Sequence, residues 1–286
     1  MVLFRNKVRT FAGLVKFEHT VFALPFAYLG AVLGIRGLPA WEQLFWMTMA
    51  MVGARSAAMG LNRLIDRELD QANPRTAGRH LPHGLVSIRE VKTFIVGALL
   101  LFTLSVYRLS PGHVVYIPLI ALLMIGYSYT KRFTCLSHIV LGLVIGLAPL
   151  GGWISVTQKI ELPAVLLGLT VALWIAGFDI IYATLDYDFD KGYGLHSLPV
   201  ARGLRSALFI SAVFHFIVAV LLVTLYFLLN LGSWYLTGVI LSVLLLYYQH
   251  ALVLPHDLSR VNTAFFNVNG LLSIQLLVFT ALDIFL

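Results

Sequence analysis

Long apolar segments separated by short polar ones follow each other through the whole chain. Nine of these segments are about 20 residues long, and their hydrophobic positions are continuous rather than alternating. An α-helix of that length crosses a hydrocarbon layer of ~30 Å, and helices satisfy their backbone hydrogen bonds internally. We therefore predict an all-α, polytopic membrane protein with nine transmembrane helices, near 17–36, 42–62, 91–109, 113–130, 135–155, 162–184, 206–229, 232–252 and 263–285.

The composition agrees with this pattern. Hydrophobic residues make up 59% of the chain and charged residues only 12%, which is unlike a soluble globular protein. The first segment follows a basic stretch, but it is too long for a signal peptide and holds Glu18 and His19, so we interpret it as a retained span. The single cysteine, Cys135, excludes an internal disulfide. We predict one transmembrane domain over residues 1–286.

The net charge of +7 reflects topology rather than nucleic-acid binding. With nine spans, 16 Lys and Arg lie on the side of the N-terminus, three lie on the opposite side and one, Arg55, lies inside a span. Basic residues collect on the cytoplasmic side of membrane proteins. We therefore predict a cytoplasmic N-terminus, a lipid bilayer as the surroundings, no nucleic-acid partner and no obligate protein partner.

Acidic residues are concentrated where two long cytoplasmic loops begin. Six of the eight Asp lie there, in two clusters that read Asn62-x3-Asp66-x3-Asp70 and Asp179-x2-Tyr182-x3-Asp186-x3-Asp190. Residues four apart share one face of a helix, and like charges at that spacing repel. Carboxylate and amide oxygens suit a hard cation such as Mg²⁺. We predict that the five in-register carboxylates are magnesium ligands: Asp66, Asp70, Asp179, Asp186 and Asp190.

The two clusters also repeat at a fixed separation. Asp66 and Asp186 are 120 residues apart, as are Asp70 and Asp190, and a Leu-Pro pair follows each cluster. We interpret this as a weak internal duplication that places the second and sixth spans at equivalent positions. Two such helices would face each other and hold two metal sites across one cavity.

Basic residues accompany the acidic ones. Arg75 and Arg79 follow Asp70 by five and nine residues, and Lys131 closes the fourth span. Guanidinium and ammonium groups bind phosphate oxygens, so metal ligands together with these cations indicate a metal-bridged diphosphate. The simpler alternatives are solvated loop heads for the Asp residues and topology alone for the Arg residues. An ion-coupled transporter is a further alternative, but it would place charges at mid-membrane.

Arg55 lies inside the second span, seven residues before Asn62 and on nearly the same helix face. A charge within a span is costly and usually marks a ligand contact or pathway. We predict that Arg55 holds an anionic group near the metals. A buried pair with Glu18, or an extended side chain that reaches the interface, is the alternative.

Three segments together resemble one known family. NRLIDRELDQANPRTAGRHLPHG (62–84) and DIIYATLDYDFDKGYGLHSLP (179–199) resemble the paired aspartate motifs of the UbiA superfamily of intramembrane prenyltransferases. VKFEHTVFALPFAYLG (15–30) also resembles that family. The resemblance implies nine helices around a central cavity with a lateral opening to lipid. It also implies Mg²⁺-dependent transfer of a polyprenyl group from polyprenyl diphosphate to a small aromatic acceptor, at the bacterial inner membrane.

The resemblance assigns roles to individual positions. Five residues would be catalytic: Asp66, Asp70, Asp186, Asp190 and, toward the carboxylate of the acceptor, Arg55. Four would bind substrate: Asn62, Arg75, Arg79 and Lys131. Independently of the resemblance, we predict that an aromatic side chain, Tyr182 or Tyr127, binds substrate by offering its ring face to a carbocation.

One position departs from the family pattern, because Arg63 stands where many members have Asp. This form resembles a 4-hydroxybenzoate-like bacterial subgroup, some of whose members act on dihydroxynaphthoates in the futalosine route to menaquinone. The acceptor therefore stays open between 4-hydroxybenzoate and a dihydroxynaphthoate. A prenyltransferase with an acceptor other than an aryl carboxylate is an alternative.

Overall fold

A computed structural model describes residue 7, residues 10–15 and residues 20–286. In this part of the chain the regular structure is helical, apart from one isolated antiparallel bridge between Leu254 and Asp257. The α-helices are α1 (Thr20–Ile35), α2 (Trp41–Ile65), α3 (Arg67–Ala72), α4 (Ile88–Leu109), α5 (Ile117–Thr130), α6 (Ser137–Thr157), α7 (Leu162–Ala183), α8 (Tyr187–Tyr193), α9 (Leu198–Arg202), α10 (Leu204–Leu228), α11 (Ser233–Ala251), α12 (Val261–Thr263) and α13 (Asn269–Phe285). Two 3₁₀ turns, Pro111–Tyr116 and Thr184–Asp186, and a π-helical turn, Ala264–Val268, join some of them.

Seven helical segments of the described chain are long and apolar enough to cross a membrane. They are Trp41–Ile65, Ile88–Leu109, Pro111–Thr130, Ser137–Thr157, Leu162–Tyr193, Leu204–Leu228 and Val261–Phe285. The apolar part of α1, Ala23–Ile35, is shorter, and α11 is not among the seven. The prediction of an all-helical membrane protein is confirmed, and the count of nine spans stays a prediction. Residues 17–19 of the first predicted span, which include Glu18, lie outside the described residues.

The outer faces of the long helices are apolar. On α10, Phe209, Phe216 and Phe227 are each about 70% exposed, whereas Ser211 and His215 on the same helix are buried. A soluble protein rarely exposes so many large apolar side chains, whereas a bilayer solvates them. On α10 these large apolar side chains are exposed and the two polar ones are buried, as expected for a helix that faces lipid.

The chain forms two compact units. The first comprises residues 1–21 and 45–129, and the second comprises residues 22–44 and 130–286. In the first unit, five buried side chains from three separate segments pack together: Leu14, Leu81, Val86, Val91 and Ile95. Because Leu81 and Val86 belong to the polar loop after α3, this cluster fixes that loop against α4 and the N-terminal segment. The assignment of residues 1–286 to one functional domain stays a prediction.

In the second unit, α6 packs closely against both α1 and α7. A Cβ atom on Gly152 would lie 1.9 Å from the carbonyl oxygen of Ala27, and one on Gly142 would lie 2.1 Å from that of Ala172. Backbones can approach to this distance only where a side chain is missing, which is a common way for membrane helices to associate. This contact orients the first turn of α6 and the C-terminal half of α7, which carry residues of the candidate site.

Gly152→Ala should destabilise the second unit, because its new methyl group has to displace backbone of α1. Overpacking of this kind costs about 1–3 kcal/mol. The matched control is Gly151→Ala, whose added Cβ has no other atom within 4 Å. Alanine in place of an unhindered helical glycine should stabilise by about 0.5–1 kcal/mol. Thermal unfolding in detergent measures both, and an equal melting temperature for the two variants would contradict the packing described here.

Candidate active site

The first acidic cluster spans a break between two helices. α2 ends at Ile65, Asp66 has non-helical backbone angles (φ −92°, ψ 12°), and α3 begins at Arg67. The four-residue hydrogen-bond pattern nevertheless continues, because the Asp66 N–H donates to the Asn62 carbonyl at 2.9 Å and the Asp70 N–H to the Asp66 carbonyl at 2.7 Å. Asn62, Asp66 and Asp70 therefore keep the register that their spacing predicts, although the helix does not run straight through them.

At this break the Asn62 side chain forms hydrogen bonds to both Asp66 and Arg63. Its Nδ2 donates to Asp66 Oδ2 at 2.7 Å, and its Oδ1 accepts from Arg63 Nη1 at 3.0 Å. Arg63 is only 5% exposed, and its Nε also donates to the carbonyl oxygen of Leu14 at 3.4 Å. The buried guanidinium thus fixes which way the Asn62 amide points, and so where Asp66 is held.

Asp70 is buried, 6% exposed, and is matched by two cations. Arg79 Nη1 donates to Asp70 Oδ1 at 2.5 Å, and Arg63 Nη1 lies 3.8 Å from Asp70 Oδ2. The loop between Asp70 and Arg79 is folded back by a hydrogen bond from Thr76 Oγ1 to the Asp70 carbonyl, 3.0 Å. The Arg79 N–H in turn donates to the Thr76 carbonyl at 2.9 Å. Together these two hydrogen bonds bring Arg79 back beside Asp70.

The second cluster repeats the break of the first. α7 ends at Ala183, the 3₁₀ turn Thr184–Asp186 follows, and Asp186 (φ −101°, ψ 7°) precedes α8. Its backbone angles are close to those of Asp66, 120 residues earlier, and each residue precedes a short helix of six or seven residues. The shared local geometry agrees with the predicted internal duplication.

Asp190 is the counterpart of Asp70. It is completely buried, and Lys131 Nζ lies 2.8 Å from its Oδ1. The loop after α8 secures this pair, because the His196 N–H donates to the Lys131 carbonyl at 2.8 Å and the Leu195 N–H to the Asp190 carbonyl at 2.9 Å. Each buried carboxylate thus meets a cation that sequence analysis assigns to the diphosphate.

Asp179 lies one helix turn before Tyr182 on α7 and pairs with a histidine. His138 Nδ1 lies 2.7 Å from Asp179 Oδ2, and the Leu198 N–H donates to the other ring nitrogen of His138 at 3.4 Å. His138 is buried in the first turn of α6. One oxygen of Asp179 therefore already has a partner, as one oxygen has in Asp66, Asp70 and Asp190.

The remaining predicted residues lie close in sequence to these pairs. The ring of Tyr182 packs against that of Phe265 in the π-helical turn, with centroids 4.2 Å apart and ring planes tilted by 31°. Arg55 is half-buried on α2, two turns before Asn62. Arg75 is exposed, and its N–H donates to Asn73 Oδ1 at 3.0 Å. The alternative pairing of Arg55 with Glu18 concerns a residue outside the described part of the chain.

The carboxylates have the chemistry that magnesium needs. Asp70 Oδ2 and Asp190 Oδ2 are buried and meet no hydrogen-bond donor of ordinary geometry within the described residues. No three acidic, His or Cys side chains converge as a complete metal cage in that part of the chain. Mg²⁺ typically takes one or two carboxylates and completes its shell with water and substrate phosphates. The acidic clusters therefore fit magnesium held jointly with a phosphate ligand.

Two members of the site were not assigned from sequence. Arg63 was noted only as a departure from the family pattern, although it is buried within the first cluster. His138 carried no signal, because it contacts Asp179 from 41 residues away. A buried position for Arg63 could have been suspected from its place at the end of an apolar helix, whereas no local pattern identifies His138.

Comparison with known proteins gives consistent matches over most of the chain. Residues 23–271 match the model of the UbiA prenyltransferase family. The 4-hydroxybenzoate octaprenyltransferase of Yersinia enterocolitica is 28% identical over 270 residues, 93% of each chain. The protein of that name from Aliivibrio salmonicida is 31% identical over 245 residues, 83% of each chain.

Solved structures give the same picture. The apo structure of a UbiA homolog from Aeropyrum pernix matches with a TM-score of 0.84 and 32% identity, over 93% of this chain and 98% of that one. A UbiA homolog from Archaeoglobus fulgidus, solved bound to DMAPP and Mg²⁺, matches with a TM-score of 0.75 over 96% of this chain and 99% of that one. At 18% identity the second match establishes the fold alone.

Arg63→Ala should destabilise the first unit. The change leaves Asn62 Oδ1 without its donor and removes one of the two cations near Asp70, and an unsatisfied buried polar atom costs about 1–3 kcal/mol. Arg67→Ala is the control, because Arg67 is 39% exposed and its ion pair within the described residues is with Glu68, which is 82% exposed. Exposed pairs contribute about 0–1 kcal/mol. Melting temperatures in detergent compare the two, and a similar small shift for both would refute a structural role for Arg63.

Proposed function

Because this chain belongs to the UbiA prenyltransferase family, we propose that it transfers a polyprenyl group from polyprenyl diphosphate to a hydroxyaryl carboxylate, with Mg²⁺. It is a prenyltransferase, and the acceptor class is the proposed part. Relatives named 4-hydroxybenzoate octaprenyltransferase, at 28–31% identity, favour 4-hydroxybenzoate and thus ubiquinone biosynthesis. A dihydroxynaphthoate of a menaquinone route is the second candidate, carried by the local sequence around Arg63.

The chief support from this chain is the pairing of a buried carboxylate with a partly exposed cation in each cluster. The side chains of Arg79 and Lys131 are 24% and 33% exposed, whereas those of Asp70 and Asp190 are 8% and 0% exposed. Before substrate binds, each cation neutralises its carboxylate. Because both cations are flexible and reach solvent, they can turn toward the diphosphate of the donor, together with Arg75. Asn62 holds Asp66 in place at the same time.

Each cluster would hold magnesium through its own carboxylates, Asp66 and Asp70 in the first and Asp179, Asp186 and Asp190 in the second, and the metal would supply charge stabilisation to the leaving diphosphate. Arg75, Arg79 and Lys131 stabilise the same developing charge through charge-assisted hydrogen bonds. In the reaction the allylic C–O bond breaks and its electron pair leaves with the diphosphate. A ring carbon of the acceptor, activated by its hydroxyl group, then bonds to C1 of the prenyl cation and loses its proton.

Tyr182 and Arg55 would contact the prenyl cation and the aromatic acceptor, respectively. Tyr182, packed against Phe265, can present an aromatic face to the prenyl cation. Arg55 binds the carboxylate of the acceptor, since a guanidinium forms a forked pair with that group. The apolar surroundings exclude water, which would otherwise capture the cation.

A polyprenyl diphosphate donor explains why the enzyme is embedded in a membrane. A polyprenyl tail is insoluble in water and stays in the bilayer while the diphosphate meets the polar ends of the helices. The distribution of basic residues favours a bacterial inner membrane with both polar loops on the cytoplasmic side. A secondary transporter is disfavoured, because the acidic clusters lie at and beyond the C-terminal end of Trp41–Ile65 and in the C-terminal part of Leu162–Tyr193, rather than at the middle of these segments.

The reaction is tested with purified protein in detergent, radiolabelled geranyl diphosphate and Mg²⁺, with 4-hydroxybenzoate and dihydroxynaphthoates offered separately. We expect labelled product from one acceptor and none after EDTA. Asp190→Asn should lower kcat about 10²–10³-fold, because a proposed magnesium ligand is lost and with it part of the charge stabilisation of the leaving diphosphate. Asp188→Asn is the matched control, since Asp188 is exposed two residues away. Product that persists in EDTA, or equal rates for the two variants, would overturn the site assignment.

Arg55→Met should raise the KM for the aryl carboxylate and leave the KM for geranyl diphosphate unchanged. A lost hydrogen bond to a charged group costs about 1.5–3 kcal/mol, or ~10–150-fold in binding. The control is a phenolic acceptor of the same ring pattern without the carboxylate, whose slow turnover should not change. If Arg55→Met weakens both acceptors equally, or weakens the donor, Arg55 does not bind the carboxylate.

A further inference from the structure

A groove of about 620 Å³ lies within the second unit, and no acidic residue of that unit's cluster is among the described residues that line it. Its wall combines residues from the start of α6, from α7, and from α9 and the first three turns of α10. Arg202 ends α9 and Arg205 lies in the first turn of α10, whereas Phe214 lies nine residues farther along α10. At 1.5 Å per residue the apolar end is ~13 Å from the charged end along the helix axis.

The charged end of the groove favours an anion. Arg202 and Arg205 are both exposed, and no acidic side chain is among the described residues that line the groove. The N-terminus of α10, a helix of 25 residues, lies between the two arginines and adds a partial positive charge. Guanidinium groups bind phosphate with two parallel hydrogen bonds.

The rest of the groove favours hydrocarbon. Ile139, Ile180 and Ile210 line it beside Phe209 and Phe214, and the ring of Phe209 is 69% exposed. These residues lie within helices long and apolar enough to cross the bilayer. A small soluble anion would use only the arginine end, whereas an amphipathic molecule matches both ends at once.

We propose that this groove binds an anionic phospholipid, with its phosphate between Arg202 and Arg205 and an acyl chain along Ile180, Ile210 and Phe214. Basic pockets between membrane helices on the cytoplasmic side are suited to such headgroups. The proposal does not depend on the identity of the acceptor. It does reach the candidate active site, because His138 lines the groove and hydrogen-bonds to Asp179. A bound lipid would therefore restrict the His138 ring that holds Asp179.

Cys135 provides a direct probe, since it is the single cysteine of the chain and lines the groove. The rate of its alkylation by N-ethylmaleimide is measured in nanodiscs of phosphatidylcholine and in nanodiscs that also contain phosphatidylglycerol. We expect alkylation about tenfold slower with phosphatidylglycerol, because two arginines favour an anionic over a neutral headgroup by that order. Native mass spectrometry should find one phosphatidylglycerol retained per chain after detergent extraction.

The double variant Arg202→Ala/Arg205→Ala should abolish the protection and the retained lipid. The control variant Arg89→Ala/Lys92→Ala removes two exposed basic residues at the start of α4 and should retain both. Equal alkylation rates in the two nanodiscs, or protection that persists in the Arg202→Ala/Arg205→Ala variant, would overturn the proposal. Protection by inorganic phosphate or geranyl diphosphate in pure phosphatidylcholine would assign the groove to a soluble anion instead and equally overturn it.

Discussion

A carboxylate buried where a membrane helix ends has to be matched by a cation, and the candidate site is organised by that requirement. Removing a charged group from water costs several kcal/mol in a real protein, and only close pairing and hydrogen bonds recover it. Asp70 meets Arg79 and Asp190 meets Lys131, both at hydrogen-bond distance. In each case a polar loop is folded by its own backbone hydrogen bonds so that this contact forms. The local structure of both loops is thus the means by which a buried charge is neutralised.

The two clusters have similar backbone geometry, but their counter-ions come from different places in the chain. Asp66 and Asp186 have nearly the same backbone angles at equivalent breaks, as expected if the two segments descend from one duplicated unit. The cation for Asp70 comes from nine residues later in the chain, whereas the cation for Asp190 comes from 59 residues earlier. A duplication of this kind would copy the helix break with its carboxylates, whereas the counter-ion of each carboxylate depends on which segment packs beside it.

The sequence therefore predicts some parts of this protein far better than others. Apolar length located the helices, and the four-residue spacing of Asn62, Asp66 and Asp70 located one cluster, because both signals are local. The prediction for Arg79 concerns the diphosphate and stays a prediction, and its ion pair with Asp70 is not contained in it. The contacts of Lys131 with Asp190 and of His138 with Asp179 depend on packing between segments 41 or more residues apart. Hydrophobic patterning fixes which helices form, and it does not fix such partners.

The ion pairs also bear on how a metal and a diphosphate would bind. If magnesium alone occupied the carboxylate of Asp70 or Asp190, it would displace Arg79 or Lys131 and leave that cation without its counter-charge. A diphosphate alone would attract the same cation and leave the carboxylate buried and unpaired, which costs 3–5 kcal/mol in typical proteins. When both bind together, each charge exchanges one partner for another and none is left uncompensated. On the proposed function, a cluster built this way would favour the metal–diphosphate complex over either component, and cleavage would then be limited to donors that arrive with their metal.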